Sequence, residues 1–332
     1  MYFPSCFFYE FGVSYIIYNV LRERIQMFKK LISLLLVFSF VFSLTACKND
    51  EDFEENTSTT ESTTESTTEN TTESTSASET STTETTTQVP TVKVTIPEGY
   101  TLVRISWLLE EKGFCTSEEF LKTAQNYKQW LDLTQYPFLN SLQSAENVCF
   151  KLEGYIFPLT YDIPENANAQ DIIKMFLNGT KQRLNDTFMT MVQQSGFTVH
   201  EILTLASLIE KEAKLDEHRP MISSVLHNRL DAGMQFQCDP TVKYCTGVIQ
   251  LIYPEKIDHY KYYYNTYRCK GLMAGPICNP GWASIEAALS PANTNYLYFI
   301  IGTVPPYEAK YSETFAEHEK FWNENKDRLT GG

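Results

Sequence analysis

The sequence predicts an α+β fold. Several segments repeat apolar residues at helical spacing, and the strand-like runs are few, short and not cleanly alternating, a mixture that argues against a doubly wound sheet. The 20 Tyr and 21 Phe among 332 residues supply aromatic mass for a packed core, in one large domain or two ordinary ones.

Before that core come three segments that cannot belong to it. Residues 1–26 sit awkwardly ahead of Met27, which opens a well-formed leader, so they read as a start placed too far upstream. Lys29 and Lys30 precede an apolar run, Leu31–Ala46, shorter than the roughly 20 residues that span a bilayer. It ends in "LTAC", so residues 27–47 read as a lipoprotein signal peptide with Cys47 as the lipidation site, and an uncleaved membrane anchor is the alternative. Residues 48–90 are a Ser/Thr/Glu tether with almost nothing apolar to bury. Ten acids and no Lys or Arg lie between Glu51 and Pro90, which accounts for most of the formal charge of −14. No basic stripe interleaved with aromatics occurs, which excludes nucleic acid as the expected partner.

The ordered elements follow. "VKVT" from Val92 is a short strand, and Pro97-Glu98-Gly99 is a turn. A helix is expected over about Leu102–Lys112, stopped by Gly113, then a second one capped by Thr116 or Ser117. "LEGYIFPLTYDIP" reads as extended and aromatic-rich, and Ala169–Leu184 as a helix with Ile172, Ile173, Met175 and Phe176 on its apolar face. A helix over "PMISSVLHNRLDAG" has Pro220 near its first turn and Gly233 beyond its end. Met234–Gly281, rich in Gly, Pro, Asn and Tyr, is expected to be loops. A short helix near Ser284–Leu289, the strand "YLYFIIG" and a last helix over about Ser312–Lys326 complete the chain.

Between the third and fourth of these helical segments lies "HEILTLASLIEKEAK", with Ile202, Leu205, Ala206, Ile209 and Ala213 at amphipathic spacing. At about 100° per residue Glu212 falls beside Leu208 and Leu205, Lys211 projects to solvent on the opposite side, and Glu210 sits at the other edge near Leu203. A carboxyl held against leucines is poorly solvated as an anion, retains its proton toward neutral pH and suits a general acid. The plainer alternative is a rim residue paired with a lysine or arginine. Arg229 is expected to hold Glu210 or Glu217 in a structural ion pair.

With Cys6 and Cys47 set aside, Cys115, Cys149, Cys238, Cys245, Cys269 and Cys278 remain, an even number that permits disulfides, foremost among the last four. Their spacing matches no CxxC zinc pattern and no HExxH occurs, so no metal and no cofactor is expected.

In order along the chain stand "IPEG" (Ile96–Gly99), "LEGYIFPLTY" (Leu152–Tyr161), "ASLIEKEA" (Ala206–Ala213), "HNRLDAGMQFQCDPTV" from His227, "YNTY" (Tyr264–Tyr267), "GLMAGPICNPG" (Gly271–Gly281) and "YLYF" (Tyr296–Phe299). Together these resemble the endolytic peptidoglycan transglycosylases, the YceG-like family. The resemblance implies a small LysM-like module over residues 91–147, followed by a mixed helix and strand catalytic domain over 148–332. It also implies an extracytoplasmic enzyme that cuts the β-1,4 bond between N-acetylmuramic acid and N-acetylglucosamine, leaves 1,6-anhydro ends and limits glycan strand length. By motif position its catalytic glutamate is Glu212. Peptidoglycan strands, the membrane through a lipid anchor, and peptidoglycan synthases are the implied partners. The chain departs from the family pattern at Leu159, at Met273-Ala274, at Cys238 and in the lipobox.

Asn265, Thr266 and Tyr267 are the expected substrate contacts, with Asp239 and Gln237 behind them, because amide, hydroxyl, carboxylate and aromatic groups suit the faces of sugars; turn structure is the alternative for the first three and for Asp239 before Pro240. A peptidoglycan-binding lipoprotein that does not cut, and a hydrolytic muramidase with Asp239 as a second carboxylate, are the rival readings.

Overall fold

The computed structural model describes residues 89–331, and the leader, tether and Cys47 readings lie outside the described residues. Strand β1 (Thr91–Thr95) runs into the Pro97–Gly99 turn and then helix α1 (Leu102–Glu111), whose first turn is capped by Thr101 Oγ1 accepting from Arg104 N. Gly113, at φ +84°, ends that unit, and Thr116 caps α2 (Ser117–Gln125). Three 3-10 turns and the short α3 (Asn140–Ser144) lead to β2 (Thr160–Pro164). β2 pairs antiparallel with β1, Val94 opposite Tyr161. This pairing ties together segments on either side of the 147/148 boundary expected from sequence. Of the "LEGYIFPLTYDIP" segment only Thr160–Pro164 is strand, because Phe150–Gly154 is taken up in a turn.

Helices α4 (Ala169–Arg183) and α5 (Asp186–Ser195) precede α6 (Val199–Glu212), the axis of the domain. Thr198 opens α6 with a reciprocal cap: its Oγ1 accepts from Glu201 N while Glu201 Oε2 accepts from Thr198 N. Every residue from Ile202 to Ile209 is buried, so α6 is wrapped on all sides and not merely packed along one stripe. Its polar side chains turn back on the helix or onto neighbours: Thr204 Oγ1 donates to His200 O, and Ser207 Oγ donates to Thr204 O and accepts from Ile277 N. Helices α7 (His218–Asp231) and α10 (Trp282–Leu289) pack directly against it.

Met234–Gly281 is not a run of loops. It contains α8 (Asp239–Tyr244), a π turn over Cys245–Ile249 and α9 (Ile257–Tyr264), with Tyr244, Cys245, Ile249 and Tyr264 buried. The chain closes with the antiparallel hairpin β3 (Tyr298–Ile301) and β4 (Ala309–Ser312), then α11 (Phe315–Thr330), capped by Thr314 and Glu317. Among the described residues no helix is long and apolar enough to cross a membrane.

The expected disulfides are absent among the described residues: all six cysteines are free thiols. Two of their sulfurs sit against backbone carbonyls, Cys278 Sγ at Ser207 O and Cys238 Sγ at Phe236 O, each at 3.4 Å. Burial pushes the thiols up, Cys115 to about 11 and Cys245 to about 12, which leaves them unreactive.

Candidate active site

Helix α6 ends at Glu212, where Ala213 leaves the helix at ψ 136°. The three consecutive ionisable residues of its last turn point into three different settings. Glu210 Oε2 accepts from Ser284 Oγ (2.6 Å) and Gly281 N (3.3 Å), and its Oε1 lies 3.8 Å from the Arg219 guanidinium. Arg219 also reaches Asp216 and donates through Nε to Ser284 Oγ at 2.9 Å. The cation at Glu210 is therefore Arg219 and not Arg229. Lys211 does not face solvent: it is part-buried, and its ammonium donates to Gly99 O at 2.5 Å.

Glu212 is the third. Dense surroundings push its carboxyl up to about 7, with the nearby charge of Asp239 adding to the shift. A hydrogen bond from the Cys238 thiol and the charges of Lys243 and Lys214 act the other way and do not overcome burial. The residue itself is half-buried, and the chain reaches the surface directly after it, at Lys214. Its ordinary value is 4.5, and at about 7 it holds a proton over much of the neutral range.

The wall beside Glu212 is built from two loops stitched together. Cys238 N donates to Thr266 Oγ1 (2.9 Å), Gln237 N to Thr266 O (3.1 Å) and Thr266 N to Thr241 Oγ1 (3.2 Å). Thr266 is fully buried, so it fastens the wall and offers nothing to a ligand. Asn265 Oδ1 accepts from Tyr267 N at 2.9 Å, which closes a turn. Gln237 is exposed at φ +52°, a left-handed conformation unusual for a residue with a side chain. Tyr267 stands 44 % exposed and donates its hydroxyl to the exposed Asp239 at 2.7 Å. Of the expected contact residues, Asp239, Gln237 and Tyr267 thus reach the surface; the Asp239 charge raises the Glu212 carboxyl, and burial first, then Asp239, push the Tyr267 hydroxyl up.

Arg229 supports this wall from behind. Its Nη1 donates to Phe236 O (2.6 Å) and Gln235 O (3.2 Å), its Nε to Leu297 O (2.5 Å), and its guanidinium lies over the Tyr298 ring. One planar fork thereby ties the loop before Cys238 to the approach to β3.

Sequence reasoning missed Glu153. It is 1 % exposed, and its oxygens accept from Leu102 N (2.8 Å), Asn279 Nδ2 (3.2 Å) and Tyr244 Oη (3.0 Å). Burial pushes it up to about 8. The three donors come from the first turn of α1, the loop before α10 and the end of α8, so a single carboxyl joins the elements that surround the last turn of α6. The signal was present: a lone acid inside the apolar and aromatic run "LEGYIFP".

The sequence model of the YceG-like family matches residues 50–324. Over 235 residues the chain is 33 % identical to a Bacillus subtilis protein named endolytic murein transglycosylase, covering 69 % of this chain and 63 % of that protein. A Streptococcus pneumoniae protein of the same name is 32 % identical over 241 residues, 68 % of this chain and 43 % of its own length. The chain thus spans less than two thirds of these relatives. A crystal structure of a YceG-like protein from Listeria monocytogenes superposes with a TM-score of 0.62 at 34 % identity, over 70 % of this chain and 76 % of that one. Extent of the match, identity and shared fold agree: the chain belongs to the YceG-like family.

Proposed function

We propose that this protein is an endolytic murein transglycosylase in which Glu212 is both acid and base. What carries the reading is the Glu212 carboxyl, pushed up to about 7 at the accessible end of a rigid helix. In its neutral form Glu212 gives its proton to the glycosidic oxygen as the bond between N-acetylmuramic acid C1 and that oxygen breaks. The resulting carboxylate takes the proton from the muramic C6 hydroxyl while O6 closes on C1. The products are a 1,6-anhydro end and a free N-acetylglucosamine 4-hydroxyl, with no water consumed. Asp239 and Tyr267 form the adjoining wall, where the ring face and carboxylate suit a sugar, and Gln237 is a further contact. The names of the relatives support the substrate class.

Around this centre, residues 91–147 act as a LysM-like module that helps hold the strand, and Cys47 carries a lipid that anchors the protein outside the cell membrane, with residues 48–90 as tether. Cutting nascent strands there, beside the peptidoglycan synthases, would set glycan length.

The test is mass analysis of fragments released from purified peptidoglycan by the protein and by Glu212→Gln. Anhydro ends, lighter than hydrolysed ends by one water, should come from the first and not from the second. Hydrolysed ends lost on Asp239→Asn would instead identify a muramidase. Binding without any cutting by either protein would leave a wall-binding protein.

A further inference from the structure

Cys238 has one thiol proton and two acceptors for it. Its Sγ lies 3.4 Å from Phe236 O, and the thiol also makes a side-chain hydrogen bond with the Glu212 carboxyl. The residue is 2 % exposed, so solvent has almost no access to that proton. The backbone around it is fixed at both ends: Cys238 N donates to Thr266 Oγ1 at 2.9 Å, and Cys238 O accepts from Thr241 Oγ1 at 2.7 Å and Thr241 N at 3.2 Å. Rotation about the Cβ–Sγ bond is what remains to redirect the proton.

The first acceptor is held as firmly as the thiol. Phe236 O already takes Arg229 Nη1 at 2.6 Å, which leaves its second lone pair for sulfur. The other charged and titratable groups that act on the pair come from each element around it: Asp239 and Lys243 on α8, Lys214 after α6, Arg229 on α7, and Tyr267, whose hydroxyl donates to Asp239. Burial, and then the Glu212 charge, push the Cys238 thiol well above its ordinary range, so sulfur keeps its proton wherever Glu212 titrates. Between the two acceptors the balance is set by charge. A carboxylate is a stronger acceptor than a carbonyl, whereas a neutral carboxyl has lost that advantage.

We infer that Cys238 is a positioning residue whose thiol proton follows the charge of Glu212: it lies on Phe236 O while the carboxyl is neutral and turns to the carboxylate once the carboxyl has given its proton away. The thiol proton never leaves sulfur; its acceptor changes. A donor fixed on Glu212, such as an ammonium, would draw the carboxyl toward its charged form and weaken the acid. With no donor at all, the carboxylate would be left short of a partner in dense surroundings after the first step. A weak donor with a second acceptor leaves the neutral acid free and still meets the base. The exchange itself needs no substrate, and its value to catalysis rests on the reading of Glu212 as acid and base.

The test is infrared spectroscopy of the S–H stretch in the full chain, followed across the Glu212 titration. Subtracting the spectrum of Cys238→Ser isolates the Cys238 band from those of the other thiols. That band should move to lower frequency as pH rises, with the midpoint that carbon NMR gives for Glu212, and in the Glu212→Gln background it should keep its low-pH position. In Cys238→Ala the Glu212 midpoint should rise by about half a pH unit, and Cys238→Ser, which retains a donor, should lie below Cys238→Ala. If Cys238→Ala fails to fold, the band in the parent and in Glu212→Gln still decides. A cysteine that serves packing alone would alter the melting temperature of its variants and leave the band and the midpoint where they are. A band that ignores the Glu212 titration, or a Glu212 midpoint unchanged in Cys238→Ala, overturns the inference. Cutting is scored separately on peptidoglycan. A protein whose thiol band follows Glu212 yet releases no anhydro ends keeps the exchange and loses the lytic reading. One that releases them with an unmoved band loses the exchange alone.

Discussion

Replacing the proposed acid should make the protein more stable, by an amount that depends on pH. The Glu212 carboxyl lies at 4.5 when solvated and at about 7 in the folded chain, so the native state holds a proton that the unfolded state gives up across that interval. Stability linked to this proton is fully present below 4.5 and is lost as pH rises through 7. At about 1.4 kcal/mol per pH unit the shift corresponds to about 3 kcal/mol. Because Glu212 is half-buried, water screens part of it, and we take about 2 kcal/mol. Glu212→Gln keeps the shape without the titration, so it should match the parent near pH 4 and exceed it at pH 8.5 by about 2 kcal/mol. For a domain of this size that is about 4–8 °C in melting temperature. Scanning calorimetry of both proteins at pH 4, 6 and 8.5 reads the gap directly, and Glu153, pushed up to about 8, cancels because both proteins contain it. A gap that is absent, or that narrows as pH rises, would refute the account of Glu212 as a carboxyl destabilised by its surroundings.

Three further outcomes follow from the same geometry. Asp239→Asn removes a charge that raises Glu212, so the Glu212 titration followed by carbon NMR should move to lower pH; an unmoved midpoint would show that the two carboxyls do not communicate. Arg229→Leu strips donors from Leu297 O, Gln235 O and Phe236 O and should cost about 3 kcal/mol in urea unfolding, with Arg229→Lys recovering under half because an ammonium lacks the fork. Gly154→Ala places a methyl 2.5 Å from Pro276 Cβ and Cγ at φ +83° and should cost about 2–4 kcal/mol. Gly113→Ala has φ +84° but nothing within 4 Å, so about 1 kcal/mol is expected; equal losses at both glycines would show that the clash is not what matters.

The helix that carries Glu212 was legible because its apolar repeat is local. The role of Lys211 was not, because its acceptor, Gly99 O, lies 112 residues away. Helices α8 and α9 escaped notice for a related reason. Their composition favours turns, and what holds them helical is tertiary: Thr241 clasped by Thr266, Tyr264 buried with its hydroxyl accepting from Cys149 N. Asn265 and Thr266 were read as sugar contacts because amides and hydroxyls serve sugars and backbones equally well, and here the backbone takes both. The cysteine count permitted pairing but carried no distances, and the thiols of Cys238 and Cys278 turn to different carbonyls.

What distinguishes Glu212 from Glu210, two residues earlier on the same turn, is the supply of donors. The C-terminal end of a helix carries negative partial charge and disfavours any carboxylate placed there. Glu210 is compensated by a guanidinium, a hydroxyl and a backbone N–H drawn from three positions on α7, α10 and its cap. At Glu212 the local donor is a buried thiol, a weak one, and the neighbouring Asp239 charge works against ionisation. The intervening ammonium cannot serve, because Lys211 is held on Gly99 O by the turn that follows β1. The same helix end thus offers one carboxyl to structure and keeps the other short of partners, which is the condition a general acid requires.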